Sequence, residues 1–133
     1  MIKDKGFTMI ELLVVVGIII ILMVALIIVM TPAERIAGAR NNQRKAHINT
    51  IYAGLEELSL YNQGEVPTCL SEFIAVDVIS CETELSPYIV NIPVDPICGN
   101  GNTGYEAKMD NVTKRIGVRA PCAEGEEIIA GDW

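Results

Sequence analysis

Bases are scarce in this 133-residue chain: ten Lys and Arg stand against 17 Asp and Glu, for a formal charge of −7. That balance excludes a chain-wide affinity for nucleic acid or anionic lipid, and no specific nucleic-acid partner is expected. Histidine occurs once, as His47, and no two of the four cysteines are spaced C-x₂₋₄-C, so the usual zinc ligand sets are missing. There is no P-loop, no H-E-x-x-H and no G-x-S-x-G, and no unpaired thiol context beside His47 suggests a Cys/His nucleophile. The chain is therefore not expected to be an enzyme. A literal G-x-G-x-x-G does occur at 99–104, but Pro96-Ile97-Cys98 precedes it and a strand-like stretch follows it. A dinucleotide fold needs the strand before and the helix after, so this is read as a loop. Long apolar runs are also missing, with one exception, which rules out a multi-span membrane protein.

That exception dominates the N-terminus. From Phe7 to Met30 only Thr8, Glu11 and Gly17 interrupt an apolar run. As a helix, 24 residues reach about 36 Å, enough to cross a hydrocarbon core of about 30 Å. Eleven of the 19 residues from Leu12 to Met30 are Val or Ile, which favour strand in water. In lipid the unpaired edge of a lone strand is prohibitive, so helix is predicted. The run is longer than the apolar core of a secretory signal, about 7–15 residues, and no small-residue cleavage site follows it, so it stays attached. Lys3 and Lys5 precede the span, whereas Arg35, Arg40, Arg44 and Lys45 follow it closely. Counting bases alone would put the C-terminal side in the cytoplasm or leave orientation open. The cysteines argue for the reverse.

All four cysteines, Cys69, Cys81, Cys98 and Cys122, lie in the last 72 residues, 62–133. So small a head needs staples, and an even cysteine count beyond a membrane anchor reads as two disulfides in an oxidising compartment. Three connectivities are open; the sequential pairing, Cys69 with Cys81 and Cys98 with Cys122, is favoured. Between span and head, Pro32 predicts a kink or break near Met30. The helical pattern then resumes, with Ile48, Ile51, Tyr52, Leu55 and Leu58 forming one apolar stripe, extended backwards by Ile36 and Ala39. Asn62-Gln63-Gly64 supplies the stop. The bases at 35, 40, 44 and 45 read as a solvated helix face, also able to meet acidic heads of neighbouring copies, because residues 67–133 carry 11 acids and four bases. In the head, a short helix is predicted after Thr68 with Leu70, Phe73 and Ile74 inward, and an extended or turn-like path over Leu85–Pro96. Strands are predicted at Tyr105–Met109 and Val112–Arg119 around a two-residue Asp110-Asn111 turn, with a third at Ile128–Ala130.

Glu11, an acid inside an apolar helix, demands a partner or an interfacial position. Read with its surroundings, Met1-Ile2-Lys3-Asp4-Lys5, then Gly6-Phe7-Thr8-Met9-Ile10-Glu11 and the long helix, the N-terminus resembles the processing site of type IV prepilins and type II secretion pseudopilins. The resemblance implies a leader, residues 1–6, cut after Gly6 by a membrane-embedded prepilin peptidase that also N-methylates Phe7. It implies that Glu11 neutralises the Phe7 amine of a neighbouring subunit during assembly. It implies an α+β, pilin-like fold: a long N-terminal helix, transmembrane over 7–30 and an amphipathic stem over 31–61, packed on a small antiparallel sheet in the head, 62–133. The expected partners are further copies of the chain, the peptidase and an inner-membrane assembly platform. The expected location is the inner membrane, single-pass with the head extracytoplasmic, and then a surface or periplasmic filament. A single-pass anchored binding module that never polymerises is the alternative.

The segment from Leu85 to Asp95-Pro96 with its glycine-rich loop is similar to the major pseudopilin of type II secretion, in which such a loop often binds calcium. Here Ile97-Cys98 replaces the Trp-Gly of that pattern. Oxygen donors are available at Asp95, Asn100, Asn102 and Asp110, but a disulfide can fix the same loop, and no cofactor is expected.

Overall fold

The computed structural model describes residues 6–29, 32–65, 67–70, 74–110 and 112–133. Two compact units divide the chain, 1–35 and 36–133. In the first, helix α1 spans Met9–Val29. Its described side chains from Met9 to Ile27 are exposed on every side apart from a half-covered Gly17. A helix apolar over its whole circumference has no face to present to water.

Helix α2, Pro32–Tyr61, gives its first turn to the first unit and the rest to the second. Proline at the first helical position is well placed, since that N–H has no intrahelical acceptor. The expected break at Met30 and Thr31 falls outside the described residues. At the other end Gln63 and Gly64 take positive φ values of 58° and 83°, and Gly64 N–H returns to the Ser59 carbonyl at 2.8 Å. This is the left-handed stop expected from Asn62-Gln63-Gly64.

The second unit is α+β. Among the described residues four antiparallel strands run in chain order: β1 Val76–Asp77, β2 Glu106–Met109, β3 Ile116–Arg119 and β4 Ile129–Gly131. Between β1 and β2 lie a 3₁₀ turn, Val78–Cys81, and the short helix α3, Glu82–Leu85. In the β2–β3 register Ala107 faces Val118 and Met109 faces Ile116. Those four side chains join Ile48, Ile51, Leu55 and Leu58 of α2 in one buried core, completed by Leu70, Val78, Leu85, Ile89 and Tyr105. Glu106, Lys108 and Arg119 occupy the opposite, half-exposed face.

Three expectations are corrected. The predicted helix after Thr68 is replaced by a turn, β1 and the 3₁₀ turn; Leu70 is buried, Ile74 is 65% exposed, and Phe73 lies outside the described residues. Asp77 explains the change, because its carboxylate caps the 3₁₀ turn through Ile79 N–H while gripping the Thr103–Gly104 backbone. The β2–β3 connection is longer than two residues: Asp110 N–H donates to the Arg115 carbonyl and Lys114 closes the loop with φ 56°. Asp110 itself accepts the N–H groups of Val112 and Thr113. Without glycine at the second turn position, the tight hairpin geometry is disfavoured. Finally, Ile36 is 53% exposed, and Ala39 is exposed too, so neither extends the stripe of α2.

Candidate functional site

The N-terminal motif is organised by hydrogen bonds around the start of α1. Gly6, Phe7 and Thr8 are exposed and outside regular structure. A Cβ on Gly6 would meet nothing within 4 Å, so nothing among the described residues demands glycine there. Thr8 Oγ1 accepts the Glu11 N–H at 3.4 Å, while Glu11 Oε2 accepts the Thr8 N–H at 3.0 Å and its hydroxyl at 2.7 Å. This reciprocal pair is a capping box, which satisfies donors left open at a helix N-terminus. Thr8-x-x-Glu11 ahead of an apolar run is its sequence signature, and the sequence reading gave Glu11 no such role. The carboxylate is thereby turned back toward Phe7. From Met9 to Ile27, 19 residues are long and apolar enough to cross a membrane.

In the second unit the polar chemistry gathers where α2 meets two loops. The α2 stripe continues backwards from Ile48 at the same three-and-four spacing, through Arg44 and Asn41, both buried. Arg44 is fully enclosed, and its Nε lies 2.6 Å from Asp95 Oδ2. Asp95 Oδ1 in turn accepts the N–H groups of Ile97 and Cys98 at 2.8 and 2.9 Å. Burial opposes ionisation of Asp95, but the guanidinium and these N–H groups outweigh it and hold the carboxyl below its ordinary range. On the other side Arg44 reaches Glu124 at 3.4 Å, and Arg40 grips the same carboxylate with two bonds of 2.6 and 2.7 Å. Arg40 is the first cause of the lowered Glu124 pKa. Asn41 pairs with the Glu124 backbone in both directions, donating to its carbonyl at 2.7 Å and accepting its N–H at 3.1 Å. Lys45 pairs with Glu126. The solvated basic face expected from the sequence is thus corrected: Arg40, Arg44 and Lys45 are engaged by acids of their own head.

The disulfides join Cys69 to Cys81 and Cys98 to Cys122, the sequential pattern, with no free cysteine. Of the oxygen donors considered for calcium, Asp95 is committed to Arg44 and two N–H groups. Asn100 and Asn102 are exposed in the adjoining loop, and Asp110 lies beyond the far end of β2. Among the described residues no three His, Cys, Asp or Glu side chains converge as a metal site. The Gly99–Gly104 motif is a loop running into β2, as read from its flanks. Gly104 needs its freedom, since φ is +75° and a Cβ would lie 2.8 Å from Asp95 Cβ. His47 Nδ1 sits 2.8 Å from the Tyr105 hydroxyl. Burial lowers the His47 pKa and pushes that of Tyr105 up to about 12.

The described residues thus combine a helix long and apolar enough to cross a membrane, opened by a short capped motif, with a disulfide-bonded α+β unit later in the chain. Residues 1–30 match the family model described as the prokaryotic N-terminal methylation motif, in line with the resemblance of this N-terminus to prepilins. No curated protein and no solved structure gives a match to the chain.

Proposed function

We propose that the chain is the structural subunit of a filament, of the type IV pilus or type II secretion pseudopilus kind, built through its N-terminal helix. The observation that carries this reading is the methylation motif placed directly on a helix with no buried face among its described side chains. Cleavage between the exposed residues Gly6 and Phe7 frees an amine at the end of α1, beside the carboxylate of Glu11. Buried in a bundle of identical helices, that carboxylate and a neighbour's Phe7 amine cost less together than apart. Contacts of this head-to-tail kind do not close, which is what a fibre requires. The partners in this scheme are the prepilin peptidase and methyltransferase, an inner-membrane assembly platform and further copies of the chain. The two disulfides support an extracytoplasmic head. The Arg44–Asp95 ion pair and the Cys98–Cys122 bridge hold the loop after Asp95.

Mass spectrometry of chain purified from cells carrying the peptidase is expected to show N-methylated Phe7 as the first residue. Glu11→Ala is expected to insert into the membrane normally and to yield few or no filaments. An uncut, monodisperse protein in those cells would instead favour the anchored module that does not polymerise.

A further inference from the structure

We infer that Arg44 is a template for oxidative folding: it selects the Cys98–Cys122 pairing by holding the two loops that carry those cysteines. Asp95 stands three residues before Cys98 and Glu124 two residues after Cys122. Both carboxylates converge on the one guanidinium, at 2.6 and 3.4 Å. The Asp95 side chain also accepts the N–H of Cys98 itself, which ties the cysteine backbone to the ion pair. On the other loop Asn41, one helical turn from Arg44, fixes the Glu124 backbone from both sides. The bridge spans 24 residues of sequence, whereas Cys69–Cys81 spans 12. Closing the longer loop has the greater entropic cost, so it is the bridge that gains most from being held in place. A rigid planar donor already mounted on α2 and facing two anions lowers that cost for one pairing only.

The reaction is ordinary thiol–disulfide exchange with a small disulfide oxidant such as glutathione disulfide. One cysteine thiolate attacks the oxidant and releases a glutathione thiolate. The second cysteine thiolate then displaces the other glutathione from the mixed disulfide. Two protein thiols are oxidised to one S–S bond, the oxidant is reduced to two glutathiones, and the two thiol protons pass to solvent or to the departing thiolates. Arg44 takes no part in these bonds; it is a positioning residue.

The test is refolding of the full chain in detergent micelles, from the reduced, denatured state, in a glutathione redox buffer. Glu72, Glu82 and Glu84 separate Cys69, Cys81 and Cys98, and Lys108 through Arg119 separate Cys98 from Cys122. Digestion with a glutamyl endopeptidase and trypsin followed by mass spectrometry therefore reads each pairing. The wild-type chain is expected to form both native bridges. In Arg44→Met the yield of Cys98–Cys122 is expected to fall at least fivefold, with Cys98 and Cys122 recovered as free thiols or glutathione adducts, while Cys69–Cys81 forms as in wild type. Asn41→Ala, a milder change on the same contact, is expected to slow only the second bridge. The first bridge is the internal control. Equal loss of both would mean a general folding defect and overturn the template role, and so would wild-type formation of Cys98–Cys122 in Arg44→Met.

Discussion

Arg44 and Arg40 are four residues apart on α2, and their energetics differ widely. Arg44 and Asp95 are both wholly excluded from solvent, whereas the Arg40 and Glu124 side chains are each about one-third exposed. Removing one partner of a buried pair strands the other charge, at a cost of about 3–5 kcal/mol. An exposed pair contributes about 0–1 kcal/mol. Arg44→Met is therefore expected to destabilise the head by several kcal/mol and Arg40→Ala by under about 1 kcal/mol, measured by denaturant-dependent hydrogen exchange of the head amides. Glu11 presents the opposite case: in the uncut chain its carboxylate is satisfied locally by Thr8 rather than by any ion pair among the described residues.

At the scale of elements, the α2 stripe shows how much the sequence made legible. Ile48, Ile51, Leu55 and Leu58 were readable because apolar side chains at that spacing must share a covered face. The same spacing carries on through Arg44 and Asn41, but charged and amide side chains read as solvated until acids from distant loops are brought to them. Those acids, 51 and 80 residues from Arg44, carry no local signal. The N-terminal motif was legible because its chemistry is local, and the cysteine pairing was among three open choices. The two-residue β1 was hidden because Asp77 works on Thr103 and Gly104, a tertiary contact. Leu55→Ala, at a fully buried stripe position, is expected to cost about 2–5 kcal/mol, and Ile36→Ala to change head stability negligibly. Replacing Cys98 and Cys122 together by serine is expected to cost about 2–4 kcal/mol, read in the same exchange experiment.

Over the whole molecule, the titrating groups define a window of stability for the head. Folded Asp95 and Asp77 have lowered pKa values, so the stability they give is present above the ordinary carboxylate value of 3.8 and is lost as pH falls through their folded values. His47 is also lowered, so the unfolded chain takes up its proton first and the head begins to weaken as pH falls through 6.5. Tyr105 is raised to about 12, so the unfolded phenol ionises first and stability declines above 10.0. A thermal-melting series is thus expected to peak between about pH 7 and 10. Calcium and a chelator are each expected to leave the melting temperature at pH 7 unchanged. The outer face of the sheet has one more consequence. The single tryptophan, Trp133, lies with its ring 4.7 Å from the Lys108 ammonium and 4.6 Å from the Arg119 guanidinium, bridging β2 and β3. Its indole emission is a built-in optical gauge of head integrity: detergent, lipid and the apolar helix contribute no indole of their own, so the colour of that one fluorophore follows the head alone.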